Sequence, residues 1–346
     1  MTFAVFAPSQ SAPPPDRYER LDSARWLAAV AVVLLHSAAQ ALSDHSGYGT
    51  SAWMAANIYD SAMRWCVPVF VMISGALLLD NTRVQALRTF YGRRMTRIVV
   101  PLVFWSVFYL VWRATFDRMD GGHTGYTTWL TKLLDGTPYY HLWYLYMILG
   151  LYLFAPFVRN LYARTSPQAR IICVGIIFGI AILDALYRQL THASLGFFLT
   201  WFLPFLGYFV AGRLIFEGVL RIPAPVSVML VSIAVTVTGV YIMSDAAALH
   251  GYFYDYFSLT VPFMSLAVFQ LIVNGPKLPR LTALVPLTFG VYLVHPIFLD
   301  LAERFGAYQP GRHDVWAIPV LAAAVFCLSA GLAWLLMQNR LTARLI

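Results

Sequence analysis

Arg25 and His36 lie eleven residues apart in one strongly apolar segment of the chain, LDSARWLAAVAVVLLHSAAQ. In a helix that rises 1.5 Å per residue, His36 would lie about 16 Å beyond Arg25. Eleven residues are close to three turns, so the two side chains would share one helix face. Because imidazole titrates near neutral pH and suits proton transfer, the pair predicts a polar cleft that reaches the middle of a bilayer. A structural histidine bonded to a neighbouring helix is an equally good interpretation of His36 alone.

Other polar side chains fall in or beside apolar segments. Arg64 lies near the outer end of the second segment, where it either binds a phosphate or a sugar or extends to the interface. His141 and Trp143 belong to the aromatic cluster YYHLWYLY, which is typical of a membrane interface but also suits a sugar. Tyr292 and His295 lie within GVYLVHP, inside a further apolar segment. These five residues are candidates for binding a ligand.

A basic loop, RVQALRTFYGRRMTRIVVP, precedes the third apolar segment. It contains Arg93, Arg94 and Arg97. Its charge fits membrane orientation and contact with lipid headgroups. Arginine forks also match phosphate geometry, so the loop equally suits a clamp for a multiply phosphorylated cytosolic ligand.

The composition indicates which elements position these residues. Of the 346 residues, 60% are hydrophobic and only 12% are charged, against roughly 25% charged in a typical soluble domain. This excludes a disordered chain, a secreted disulfide scaffold and a coiled coil, and the three separated cysteines give no metal site. The prediction is an all-α, polytopic membrane bundle of about ten spans. The predicted spans are 24–42, 57–79, 98–116, 141–160, 170–187, 197–216, 226–244, 256–273, 282–301 and 315–338.

The loops predict the orientation of this bundle. Most of the 24 lysine and arginine residues fall on one side of the predicted spans. The positive-inside rule then places both termini in the cytoplasm, which an even number of spans allows. Residues 1–16, with three consecutive prolines, are predicted to form a disordered cytoplasmic segment, and residues 17–346 a single transmembrane domain.

Taken together, these segments resemble the acyltransferase-3 family of membrane acyltransferases. LDSARWLAAVAVVLLH is similar to the family's opening signature, an arginine followed after ten residues by a histidine, and VPVFVMISGALLL to its second-span signature. RRMTRIVVP resembles its basic inner loop, and YYHLWYLYMILGLYLFAP and GVYLVHP resemble further family segments. The likeness covers nearly all ten predicted spans in order and is greatest to the enterobacterial common antigen O-acetyltransferase branch.

The resemblance implies transfer of an acyl group, usually acetyl, from cytosolic acyl-CoA to a hydroxyl of a cell-envelope or exported glycan. It implies a bacterial inner-membrane enzyme in which Arg25 and His36 are the essential pair. It also favours Arg93, Arg94 and Arg97 as ligands of the CoA phosphates. The acceptor is then expected to bind to Arg64, His141, Trp143, Tyr292 and His295. We expect acetyl-CoA as the donor, no permanently bound cofactor and no nucleic acid. The expected partners are a glycan or lipid-linked sugar, the bilayer and proteins of polysaccharide synthesis.

Two mechanisms and two other classes of function stay open at this point. His36 either removes the proton of the acceptor hydroxyl as a general base or carries the acyl group transiently. Arg25 holds the CoA pyrophosphate or the thioester, or orients Asp22. The alternatives are a transporter or flippase for a lipid-linked glycan or small anion, and a membrane scaffold or sensor in which both side chains are dispensable.

Overall fold

The computed structural model describes residues 15–43, 48–83, 86–122, 125–192, 197–243, 251–275, 284–306 and 315–346. Within these ranges the chain forms α-helices joined by turns and short 3-10 segments, without strands. The segment 1–14, for which disorder was predicted, lies outside the described residues. The helices are α1 Pro15–Ser43, α2 Ser51–Met63, α3 Cys66–Leu78, α4 Leu87–Met119, α5 Tyr126–Leu134, α6 Trp143–Arg164, α7 Pro167–Thr191, α8 Phe202–Glu217, α9 Ala224–Met243, α10 Val261–Asn274, α11 Leu287–Arg304 and α12 Ala317–Met337.

Seven helical segments of the described residues are long and apolar enough to cross a membrane, so the chain is an integral membrane protein. Every predicted span coincides with a helix, or in the case of 57–79 with parts of α2 and α3, but three of the helices do not meet this standard. The apolar stretches of α9 and α10 are shorter, and α11 carries Asp300, Glu303 and Arg304 near its end. The count of ten spans and the cytoplasmic position of both termini therefore stay predictions. The seven segments are Arg17–Leu42, Ser51–Leu78, Leu87–Met119, Trp143–Arg164, Pro167–Thr191, Phe198–Glu217 and Ala317–Met337.

Helix α1 lies at the centre of the bundle, against α2, α3, α10, α11 and α12. Its first turns are fixed by arginines that bind the carboxyl ends of two neighbouring helices. Arg17 donates to the Phe216 carbonyl of α8, and Arg20 donates to the Val273 carbonyl of α10 at 2.9 Å. The last carbonyls of a helix have no partner within the helix, so cations at this position satisfy them. These bonds fix the position of α1 and of the polar face that it carries.

Helices α3 and α8 pack backbone against backbone. A Cβ atom added at Gly75 would lie 1.7 Å from the Phe209 carbonyl oxygen, and one added at Gly212 would lie 2.2 Å from the Met72 carbonyl oxygen. Small residues allow this close approach in membrane bundles, where packing replaces the hydrophobic effect as the driving force. Gly75 of the second predicted span therefore serves close helix packing.

Replacing Gly75 by alanine is expected to lower the unfolding temperature, because the new methyl group meets backbone that has to move. Overpacking of this kind costs about 1–3 kcal/mol. Gly179→Ala in α7 is the matched control, since no heavy atom lies within 4 Å of its added Cβ. Thermal unfolding of both variants in the same detergent compares them, and equal unfolding temperatures would contradict the close packing.

Candidate functional site

A cavity of about 340 Å³ lies between α1, α3, α4, α6 and α11. Its wall combines apolar and aromatic side chains with a few polar groups, a composition typical of ligand sites. Helix α1 contributes Arg25, Val32 and His36, which repeat at seven and four residues and so share one helix face. The spacing predicted this shared face. The other polar and aromatic lining residues are Phe70, Ser74, Arg94, Arg97, His141, Trp143, Tyr144, Tyr152, Tyr256, Thr288, Phe289 and Tyr292.

The cavity is basic in the part that the first turns of α4 line. Arg94, Arg97 and Ile98 line it from one face of that helix, and Arg25 lines it from α1. Arg25 also forms an ion pair with Asp22, its Nη1 atom lying 2.9 Å from the carboxylate. Arg93, the remaining arginine predicted to bind phosphate, is exposed and does not line the cavity. The local groups therefore suit a phosphorylated ligand.

An imidazole pair occupies a second polar region of the cavity. Nδ1 of His36 lies 2.8 Å from Nε2 of His295, and the two ring planes are nearly parallel, at 13°. His295 is 0% exposed and lies behind His36 instead of lining the cavity. The residue following it is Pro296, which has no N–H, so the Tyr292 carbonyl one turn earlier has no helical donor. Nδ1 of His295 lies 2.8 Å from this carbonyl oxygen and replaces the missing donor.

This arrangement assigns the protons of both rings. A carbonyl oxygen only accepts, so Nδ1 of His295 carries a proton and donates it to Tyr292. A wholly buried imidazole is neutral without a charged partner, and none bonds His295 in the described part of the chain, so its Nε2 atom is an acceptor. His36 then donates from Nδ1 to that atom. Its Nε2 atom is left with a lone pair, as a general base requires.

His141 and Tyr292 complete this region. His141 is 2% exposed and lines the cavity, and its ring nitrogens form no hydrogen bond of standard geometry among the described residues, although the Leu293 backbone lies close enough to interact with the ring. Its backbone carbonyl accepts a bond of 2.6 Å from the Tyr292 hydroxyl, which fixes the turn before α6 against α11. The His141 ring lies 5.5 Å from the His295 ring, at 73°. A buried imidazole without a hydrogen bond of standard geometry is unusual in a folded protein and is consistent with a ligand at this position.

The family follows from a comparison of the whole chain. Residues 18–338 match the family model for the acyltransferase domain of acyltransferase-3. The chain belongs to the acyltransferase-3 family. Searches of curated proteins and of solved structures returned no match. The protein is thus a membrane acyltransferase, and the domain it contains commonly O-acetylates glycans.

Arg64 of the acyltransferase does not line the cavity. It forms an ion pair with Asp60, which is fully buried, and it donates to the Tyr254 carbonyl at 3.2 Å. Its guanidinium group also lies over the Tyr254 ring, 4.2 Å from the centroid. These contacts join α2 to the loop before α10. Of the five residues predicted to bind the acceptor, His141, Trp143 and Tyr292 line the cavity, whereas Arg64 and His295 do not.

Sequence reasoning missed Tyr140 as a site residue. Its ring lies 5.1 Å from the His36 ring, edge to face at 68°. The signal available in the sequence was its position next to His141, but the same YYH run also fits an interfacial aromatic belt. No group of three or more histidine, cysteine, aspartate or glutamate side chains in the described ranges is placed to hold a metal ion.

Proposed function

We propose that this acyltransferase transfers an acyl group, most readily acetyl, from cytosolic acyl-CoA to a hydroxyl of a cell-envelope or exported glycan, and that it acts in the bacterial inner membrane. One observation carries the proposal. Arg94 and Arg97 line the same cavity as His36, whose Nε2 atom is available to take a proton. The charge bias of the loops, which places the basic part of the cavity toward the cytoplasm, supports a cytosolic donor.

The donor binds along the length of this cavity. Arg94, Arg97 and Arg25 bind the phosphates of CoA, for which guanidinium forks are suited. Arg25 and His36 are about 16 Å apart along α1, so Arg25 binds the phosphate end and not the thioester. The pantetheine arm of CoA spans this distance between the phosphates and the reacting sulfur. The apolar and aromatic wall between the two polar regions suits such an uncharged arm.

His36 acts as the general base. Its Nε2 atom takes the proton of the acceptor hydroxyl as the oxygen attacks the thioester carbonyl. The carbon–oxygen bond forms, the tetrahedral oxyanion collapses, and the carbon–sulfur bond breaks. The imidazolium then returns the proton to the CoA thiolate. His295 is a positioning residue, because its Nε2 atom accepts from Nδ1 of His36 and holds the productive tautomer.

His141 stabilises the oxyanion. It is buried in the cavity wall near the imidazole pair, and its ring forms no hydrogen bond of standard geometry among the described residues. A neutral imidazole has one N–H, which is a suitable donor to a developing negative charge in a site that excludes water. Trp143 and Tyr292 line the same cavity and enclose the acyl group.

The proposed function is tested by acetyl transfer from radiolabelled acetyl-CoA to crude cell-envelope glycan, with the purified protein in lipid nanodiscs. We expect label in the glycan and an equal amount of free CoA. Binding of acetyl-CoA without transfer to any glycan fraction would contradict glycan acetylation. Absence of acetyl-CoA binding would contradict the donor.

Replacing the arginines of α4 one at a time is expected to change the KM for acetyl-CoA to different extents. Arg94→Ala and Arg97→Ala should each raise the KM for acetyl-CoA about tenfold, because a hydrogen bond to a charged group contributes about 1.5–3 kcal/mol and part of it is screened here. Arg93→Ala is the matched control, since it removes the same charge from the same helix outside the cavity. The measurement is the initial rate of CoA release over a range of acetyl-CoA concentrations. An equal effect of all three variants would contradict a specific phosphate site.

A further inference from the structure

Trp143 and Tyr256 form an aromatic wall of the cavity that His36 also lines. Their ring centroids lie 5.5 Å apart, and the ring planes are tilted by 35°. Trp143 is the first residue of α6, whereas Tyr256 belongs to the loop before α10, so the wall exists only in the folded bundle. The sequence singled out Trp143 but gave no signal for Tyr256.

Buried side chains behind this aromatic wall hold it in place. The ring of Phe205, a buried residue of α8, lies 6.0 Å from the Trp143 ring and 6.2 Å from the Tyr256 ring. The hydroxyl of Tyr208, which is also buried, donates to the Tyr256 backbone carbonyl at 2.6 Å. Protein interiors are close-packed, so the rings of the wall resist displacement away from the cavity. The aromatic wall is therefore a fixed boundary of the cavity.

The aromatic wall and the imidazole groups lie on different sides of the cavity. The rings of His36 and His141 pack against His295 of α11, with centroids 5.0 and 5.5 Å away. The aromatic wall instead packs against Phe205 of α8. Helix α11 packs mainly against α1 and α12, whereas α8 packs mainly against α3, α6, α7 and α10. A ligand that contacts both imidazole groups therefore turns its other side to the aromatic wall.

The chemistry of acyl transfer decides which group of the ligand meets this wall. In the proposed mechanism the tetrahedral carbon carries the sulfur, the attacking oxygen, the oxyanion and the acyl chain. The sulfur arrives from the basic part of the cavity, because the pantetheine arm extends from Arg94 and Arg97. The attacking oxygen faces His36 and the oxyanion faces His141. The acyl chain is the remaining substituent, and it points to the aromatic wall.

We propose that Trp143 and Tyr256 limit the length of the acyl chain that this acyltransferase transfers. The methyl group of an acetyl thioester fits between the imidazole groups and the aromatic wall. Each further methylene group has to displace a ring that Phe205 and Tyr208 hold in place. This inference rests on the proposed function and deepens it, because it names the residues that select the acyl donor. Acetyl-CoA is then the best donor, and the rate falls with each added carbon.

Acetyl-CoA and butyryl-CoA, which differ by two methylene groups, test the inference. With the full-length protein in nanodiscs and saturating crude cell-envelope glycan, kcat/KM from CoA release should be about 100-fold larger for acetyl-CoA, since one methylene group in an apolar pocket changes specificity by about 10- to 200-fold. Trp143→Ala and Tyr256→Ala should each lower this ratio at least tenfold by raising kcat/KM for butyryl-CoA. Such a gain cannot result from misfolding. Trp334→Ala and Tyr187→Ala, at exposed residues of α12 and α7, are the matched controls and should keep the wild-type ratio.

A binding measurement tests the same limit without an acceptor. The thioethers S-ethyl-CoA and S-butyl-CoA match the two donors in chain length but cannot transfer an acyl group. By isothermal titration, the wild type should bind S-ethyl-CoA at least tenfold more tightly than S-butyl-CoA. Trp143→Ala and Tyr256→Ala should bind the two thioethers with similar affinity. Trp143→Phe, which removes less volume, should give an intermediate ratio.

Each outcome decides for or against the aromatic wall. Equal use of acetyl-CoA and butyryl-CoA by the wild type, or equal binding of the two thioethers, would overturn the length limit. A wild-type ratio in both alanine variants would overturn the aromatic wall as its cause. Failure of the proposed function gives a different result, because the wild type would then bind neither thioether, and the donor assignment and the inference would fall together.

Discussion

Replacing His36 by alanine is expected to lower kcat for acyl transfer by on the order of 10²–10⁴-fold, the usual contribution of a general base. The KM for acetyl-CoA should stay close to its wild-type value. The reason is distance, because Arg25, the proposed phosphate ligand, lies about 16 Å from His36 along α1. Initial rates of CoA release at saturating glycan measure both constants, and thermal unfolding checks that the variant is folded.

The matched control is His192→Asn, which changes an exposed histidine at the end of α7 to a residue that tolerates its positive φ of 53°. It should have wild-type activity. Wild-type rates in His36→Ala would rule out the base assignment. Acid quenching after exposure to labelled acetyl-CoA alone distinguishes the two roles of His36. Label retained on the wild type and lost in the variant would identify an acyl-histidine instead of a base.

The second large effect is expected at His295. His295→Ala removes the acceptor that holds Nδ1 of His36 in its protonated form, so His36 samples the tautomer in which Nε2 carries the proton. Loss of tautomer control in a serine protease triad costs about 10⁴-fold, and we expect a fall in kcat on the order of 10²–10⁴-fold here. The acetyl-CoA KM should not change, since His295 does not line the cavity that contains Arg94 and Arg97. Initial rates over a range of acetyl-CoA concentrations give both constants.

A structural defect and a positioning defect at His295 give different results. If His295 acts through His36, the double variant His36→Ala/His295→Ala should be no slower than His36→Ala alone. His295→Gln should retain more activity than His295→Ala, because an amide oxygen accepts the same hydrogen bond. Fully additive losses, or a matching rise in the acetyl-CoA KM, would show that His295 supports the fold and not the tautomer.

The helical bundle was predictable because its signals are local. Apolar segments of sufficient length predict helices wherever they occur, and each predicted span coincides with a helix or, in the case of 57–79, with parts of two. The span count was less predictable, because three of these helices are short or carry charge near one end. The shared face of Arg25 and His36 was also predictable, since three turns of one helix fix it. The five family segments in order indicated the acyltransferase-3 family, and the match over residues 18–338 confirmed it.

Other parts of the site depended on contacts between helices. Arg93 and Arg94 are neighbours in one basic loop, yet only Arg94 lines the cavity, because the rotation of α4 against its neighbours selects one face. Arg64 was predicted to be available to a ligand, but Asp60 and Tyr254 bind it. Asp60 lies four residues away and was a readable partner, whereas Tyr254 comes from a distant loop.

The sequence by itself determined a membrane acyltransferase with an arginine and a histidine on one face of its first helix. Only the tertiary structure decided which ring nitrogen of His36 carries the proton and which keeps its lone pair. That decision comes from Pro296, which leaves one carbonyl of α11 without a helical donor, and from His295, which takes its place and binds His36 across 259 residues of sequence. Spacing within a helix is fixed by backbone geometry, but a contact between distant helices depends on how the whole bundle packs.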